Sequence, residues 1–208
     1  MKLQVSLDLP QLEKAVAYAL EIQNEVDIIE VGSLLIYKYG EQAIKQFREA
    51  LPQTLILADM KIADRGKEAS KIAFQAGADW VTVVAGTSKN VIHTVCSTAH
   101  DMGKKVMLDL IDASSLGQSA LEAQTLGVDA LLFHKPTDEH AQELSADQWD
   151  IVKGNTKLPV FIAAPITRDS LKIILSFKPD GIIISKSSEK EMSVEDIRHF
   201  SQMIRHAD

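Results

Sequence analysis

The sequence predicts an α/β fold, a single (β/α)8 barrel formed by residues 1–208, and three observations carry that reading. Short β-type runs alternate strictly with helical stretches, there are eight of each, and charged or polar residues recur at the strand ends. Strict alternation implies a parallel sheet. Eight strands, undivided by any linker or low-complexity segment, favour a closed barrel over an open doubly wound sheet. The 208 residues are at the short end for such a barrel and suit one domain with a large core.

The strands read as Lys2–Leu9, Asp27–Val31, Leu55–Lys61, Trp80–Val84, Lys105–Ile111, Ala130–His134, Pro159–Ala163 and Gly181–Ser185. Helical periodicity falls at about residues 11–25, 39–50, 66–76, 90–102, 115–126, 146–154, 168–176 and 193–206. Similar turns precede three strands: Ala76-Gly77-Ala78-Asp79, Leu126-Gly127-Val128-Asp129 and Lys178-Pro179-Asp180-Gly181. Gly77 and Gly127 suit the left-handed residue that ends a helix. The recurrence points to a repeated αβ unit.

Composition narrows the function. A net charge of −7 with no Lys/Arg run gives no support to binding nucleic acid or an anionic membrane. No apolar run approaches the ~20 residues of a membrane span, and the N-terminus lacks the apolar core of a signal peptide. Cys96, the only cysteine, falls in an apolar helical pattern and reads as a core residue. Trp80 and Trp149 read as packing, and His93, His100, His140, His199 and His206 as surface residues. A cytoplasmic enzyme acting on a small molecule is the expected class.

Strand parity locates the chemistry. Side chains alternate between the two faces of a strand, so Leu3, Val5, Leu7 and Leu9 should meet the helices while Gln4, Ser6 and Asp8 line the interior. Asp59 and Lys61 share one parity on the third strand, and Glu30, Asp109 and His134 sit at or next to the ends of theirs. Barrel enzymes place their chemistry at that C-terminal rim. Carboxylates crowded into one small cavity raise one another's pKa unless a cation offsets them. Lys61 is one such cation. A divalent ion is the other: oxygen ligands favour Mg2+, Ca2+ or Mn2+ over zinc, and Mg2+ would suit Glu30 and Asp59. Such a site would stabilise an electron-rich enediolate, with Lys61 donating to the oxyanion and His134 moving the proton. Asp8, just before Pro10, equally suits a turn or helix cap. Asp109 could be a polar filler of the barrel.

The run Leu57-Ala58-Asp59-Met60-Lys61-Ile62-Ala63-Asp64 carries the D-x-K-x-x-D pattern of the orotidine-monophosphate decarboxylase suprafamily. Met1–Leu9, Val26–Gly32, Ala76–Val83 and Val106–Ile111 resemble its 3-hexulose-6-phosphate synthase branch, with 3-keto-L-gulonate-6-phosphate decarboxylases the other close branch. The resemblance implies a TIM barrel with Glu30 and Asp59 on Mg2+. It assigns Lys61 to the enediolate, His134 to acid/base work, and Asp8 and Asp109 to substrate hydroxyls or the lysine. It also implies a homodimer in which Asp64 reaches the neighbour's site.

The synthase branch condenses formaldehyde with D-ribulose 5-phosphate, and the decarboxylase branch releases CO2 from 3-keto-L-gulonate 6-phosphate. Thr137 stands where the decarboxylases carry Arg, which favours the synthase. The family's Gly-rich phosphate turns are altered here, to Ala163-Ala164-Pro165-Ile166-Thr167 and Ser185-Lys186-Ser187-Ser188, and proline offers no N–H. Lys186, Ser185, Ser187, Thr167 and Arg168 are the expected replacements. A different, unphosphorylated substrate and a non-catalytic binding descendant stand as alternatives.

Overall fold

The computed structural model describes residues 1–134, 145–164, 168–188 and 192–205. Its strands are β1 (Lys2–Leu7), β2 (Ile28–Val31), β3 (Leu55–Ile62), β4 (Trp80–Val84), β5 (Lys105–Asp109), β6 (Ala130–His134), β7 (Val160–Ala163) and β8 (Gly181–Lys186). The helices are α1 (Leu12–Ile22), α2 (Ser33–Tyr39), α3 (Glu41–Ala50), α4 (Gly66–Gln75), α5 (Lys89–Asp101), α6 (Leu116–Leu126), α7 (Ala146–Gly154), α8 (Arg168–Ser176) and α9 (Val194–Arg205). Each strand pairs in parallel with the next, and β8 pairs with β1 to close the barrel. This is the (β/α)8 TIM barrel expected from the alternation.

Two cores follow from strand parity. Leu3, Val5 and Leu7 of β1 and their counterparts on other strands meet the helices, which bury stripes such as Leu12, Ala15, Ala19 and Ile22 of α1. Cys96 belongs to this layer, and burial, with Asp129 nearby, pushes its thiol up to about 12. Inside the barrel a separate apolar cluster forms from Ile28, Leu57, Met107, Ala130, Leu132, Phe161, Ala163 and Ile183. A side chain on Gly181 would place its Cβ 2.3 Å from the Phe161 ring, so the glycine is what admits the phenylalanine.

The repeated turns have a structural meaning at the opposite end. Asp79 receives the backbone N–H of Ile56 on its carboxylate at 3.0 Å, and its own N–H returns a bond to the Ile56 carbonyl at 2.8 Å. Asp27 does the same with Leu3, Asp129 with Val106 and Asp180 with Val160. Each of these aspartates opens or just precedes an even-numbered strand and ties down the start of the odd-numbered strand before it. Each also holds a cationic or basic side chain: Lys2, Arg48 with Lys104, His100 and Lys153. Bonds at this face of a barrel serve stability rather than catalysis.

One helix departs from the sequence reading. A single helix was expected at residues 39–50, but α2 starts directly after Gly32 and is separated from α3 by Gly40, whose φ is +62°. The cap comes from the residue that follows β1: Asp8 Oδ1 accepts the Leu34 N–H at 2.9 Å. A Cβ at position 32 would lie 2.2 Å from that carboxylate, so only glycine permits the approach. Leu34 and Tyr37 point outward, which erases the amphipathic pattern a sequence reading relies on.

Candidate active site

β1, β2, β3, β5 and β6 bring the expected residues to one place. On β1, Gln4 and Ser6 both donate to Glu30 of β2, the hydroxyl at 2.6 Å. On β3, Lys61 Nζ lies 3.0 Å from Asp59 and 3.0 Å from Asp109 of β5. Asp109 Oδ2 also meets His134 Nδ1 at 3.1 Å, and its other oxygen accepts the Ile111 N–H at 3.0 Å. A continuous chain thus runs Asp59, Lys61, Asp109, His134, with Glu30 beside Asp59.

Local backbone geometry makes this possible. The β3–β4 register passes from Ala58↔Val81 to Ile62↔Val83, so β3 spends more residues than its partner and bulges at 59–61. Lys61 carries φ +42° there. A left-handed non-glycine backbone costs roughly 1–3 kcal/mol and persists only where the surroundings hold it.

The electrostatics are those of a cation embedded among anions. Burial alone would lower the Lys61 pKa, but the charges of Asp59 and Asp109 outweigh it and hold the ammonium well above the usual range. Burial pushes Asp109 upward, and its contacts with His134 and Lys61 reverse this, leaving it below the ordinary value. Among the described residues no cation is in contact with Glu30. Burial first, then the Asp59 charge, raise it to about 8 despite the Ser6 and Gln4 bonds. Asp8 is also raised, by burial and by the charge of Asp59, against the N–H of Leu34.

This pattern bears on a metal. Glu30 and Asp59 are two buried carboxylates short of positive charge, which is the need a divalent cation meets. Gln4 Oε1 is buried without a partner among the described residues, next to that pair. Among the described residues no three His, Cys, Asp or Glu side chains are grouped to cage an ion. Glu30 and Asp59 are oxygen donors of the kind that would suit a divalent cation such as Mg2+.

Of the remaining site candidates, Lys186 departs from its expected place. Asp64 is exposed just past β3 and makes no hydrogen bond or ion pair among the described residues. Its loop is braced by Thr87, whose hydroxyl donates to the Ala63 carbonyl at 2.5 Å. Ser185 pairs with Ser6 in register and opens to the mouth. Lys186 does not join it. β8 runs one residue further than the sequence reading placed it, and Lys186 pairs with Leu7, so its side chain faces the helices. There it is buried, donating to the Met192 carbonyl at 3.0 Å and lying 4.6 Å from the Tyr18 ring. The direct anion contact expected of Lys186 gives way to a loop-anchoring one. Thr167, Pro165, Thr137, His140 and His206 lie outside the described residues, as does the Arg168 side chain.

Sequence reasoning missed two residues. Thr82 donates to Asp59 at 2.7 Å, and Ser33 donates to the other Asp59 oxygen. Thr82 is the one polar residue of Trp80–Val84 and has the interior parity, a signal that was available. Ser33 opens α2 and offers no signal of its own in the sequence.

Residues 1–205 match the family model described as Orotidine 5'-phosphate decarboxylase / HUMPS family. The chain belongs to this family. The 3-hexulose-6-phosphate synthase of Bacillus subtilis (strain 168) is 32% identical over 186 residues, covering 88% of this chain and 89% of that one. The solved 3-hexulose-6-phosphate synthase from Salmonella typhimurium is 31% identical, with a TM-score of 0.92 and full coverage of both chains. The 3-keto-L-gulonate-6-phosphate decarboxylase from Vibrio cholerae O1 shares the fold, at 24% identity and a TM-score of 0.80 over 97% of each chain. Within this family the chain is an enzyme of the lyase class. Among the described residues no helix is long and apolar enough to cross a membrane.

Proposed function

We propose that the chain is a cytoplasmic, Mg2+-dependent aldehyde-lyase of the 3-hexulose-6-phosphate synthase type, joining formaldehyde to D-ribulose 5-phosphate. The observation that carries this reading is the chain Asp59–Lys61–Asp109–His134 beside the cation-poor Glu30. It is supported by relatives of that name at 31–32% identity.

Each residue has a task that follows from its partners. Mg2+, held by Glu30 and Asp59, would supply positive charge against the substrate oxygens beside the reacting carbon. Lys61 stays protonated and spends N–H bonds on Asp59 and Asp109, with a third left for the oxyanion that forms when a proton leaves the carbon next to the carbonyl. Asp109, held ionised, can only accept, so His134 Nδ1 carries the proton and Nε2 is the basic nitrogen. His134 Nε2 takes the proton from that carbon. The carbon then bonds to formaldehyde, whose oxygen receives the proton. Asp8 and Ser185 line the mouth where sugar hydroxyls would lie. The proposed assembly is a homodimer in which Asp64 reaches the neighbour's site. It is supported by the exposed Asp64 and by the exposed Leu34 and Tyr37 on the adjoining α2.

One observation favours a second reading. With Lys186 turned into the helical layer, the mouth has one cation fewer for a phosphate, which suits an unphosphorylated substrate. The test pairs formaldehyde with D-ribulose 5-phosphate in Mg2+ and follows product. A parallel reaction offers 3-keto-L-gulonate 6-phosphate and follows CO2. Product in the first and none in the second supports the synthase. Failure of inorganic phosphate to compete at millimolar levels would move the case to the unphosphorylated substrate.

A further inference from the structure

We propose that Thr82 is a positioning residue for Lys61, coupling the lysine backbone to the Asp59 carboxylate so that the ammonium is fixed where the oxyanion forms. This rests on the reading of Lys61 as the oxyanion donor.

The bulge creates the need. Between Ala58↔Val81 and Ile62↔Val83, β3 passes through residues that β4 does not match one for one. The Lys61 N–H lies in that stretch, and a backbone donor removed from water requires an acceptor. Thr82, 1% exposed and lying between Val81 and Val83, supplies it: its Oγ1 accepts the Lys61 N–H at 2.8 Å. The same oxygen donates to Asp59 Oδ1 at 2.7 Å.

The directions of these bonds are forced. An amide N–H can only donate and a carboxylate can only accept, so the single hydroxyl proton must point at Asp59. Asp59 Oδ1 in turn lies 3.2 Å from Lys61 Nζ. A closed ring results, from Lys61 N through Thr82 Oγ1 and Asp59 Oδ1 back to Lys61 Nζ. The backbone end of the lysine is tied to the hydroxyl directly, and the ammonium end through Asp59. The ring also gives the φ +42° backbone of Lys61 a partner it would otherwise lack. Valine has the shape of threonine without the hydroxyl, so Thr82→Val opens the ring and keeps the packing. Thr82→Ser keeps the ring and loses only a methyl group.

The experiment compares both variants with the wild-type chain in the Mg2+-dependent reaction and, separately, measures hydrogen exchange of the Lys61 amide by NMR. Thr82→Val should lower kcat by at least ~10-fold with KM within about threefold, as expected when a group is mispositioned only for the transition state. It should also speed Lys61 amide exchange. Thr82→Ser should restore both readouts. Overturning results are a Thr82→Val chain with wild-type kcat and amide protection, or a Thr82→Ser chain as impaired as Thr82→Val. The second would assign the effect to packing. A wild-type chain inactive in both reactions would sink the proposed function, and the amide-exchange comparison would still decide the role of Thr82.

Discussion

Replacing Glu30 by glutamine should stabilise the metal-free protein above neutral pH. Free of the fold, Glu30 loses its proton near 4.5; in the barrel, burial and the Asp59 charge hold the proton until about 8. Between those values the folded chain carries a proton the unfolded chain has lost, so stability falls as pH rises and the loss is complete above the folded value. At about 1.4 kcal/mol for each pH unit of the window, the full loss is on the order of 5 kcal/mol. Glutamine has no proton to lose, and its amide N–H can meet the buried Gln4 Oε1 that has no partner in the wild type among the described residues. The assay is thermal unfolding in EDTA from pH 5 to pH 8.5. Near pH 5 the two proteins should unfold within a few degrees of each other. By pH 8.5 the glutamine variant should be ahead by on the order of 10 °C. Adding Mg2+ at pH 8.5 should raise the wild type and leave the variant unchanged. Parallel pH curves for the two proteins in EDTA would refute the reasoning, because Glu30 would then be ionised in the fold at no cost.

The remaining predictions concern turnover, scaffold and assembly. Lys61→Ala should cut kcat by at least ~10²-fold, as when one oxyanion donor is lost, with Mg2+ affinity by calorimetry nearly unchanged. Asp79→Ala removes the acceptor for Ile56 N–H, Arg48 and Lys104; urea unfolding should show a loss of roughly 1–3 kcal/mol with kcat preserved. Gly181→Ala drives a methyl into Phe161 and should cost roughly 1–3 kcal/mol, partly recovered by adding Phe161→Leu. Lys61→Ala and Asp64→Ala chains, each inactive, should regain activity when mixed, because hybrid dimers contain one intact site; no recovery would argue against sharing.

Much of this was legible because period and parity are local properties of a strand. The apolar alternation of Leu3, Val5 and Leu7 fixed which way Gln4 and Ser6 face, and the same reasoning located Glu30, Asp59, Lys61, Asp109 and His134. What escaped depended on neighbours distant in sequence. The cap of α2 comes from Asp8, 26 residues before Leu34. The bulge that bends Lys61 into the left-handed region exists only against β4. Lys186 was misplaced by one residue of strand length: once β8 includes it, Ile182, Ile184 and Lys186 share the outward face, and a one-residue change reverses a side chain's direction.

The central claim is that this site draws a proton from the carbon beside the carbonyl of D-ribulose 5-phosphate. The most direct measurement omits formaldehyde and follows the substrate by proton NMR in D2O with Mg2+. One hydrogen at that carbon should exchange for deuterium in the presence of the wild-type chain, and the exchange should vanish with His134→Asn and with Lys61→Ala. Retention of both hydrogens with the wild-type chain, or equal exchange by His134→Asn, would contradict the account.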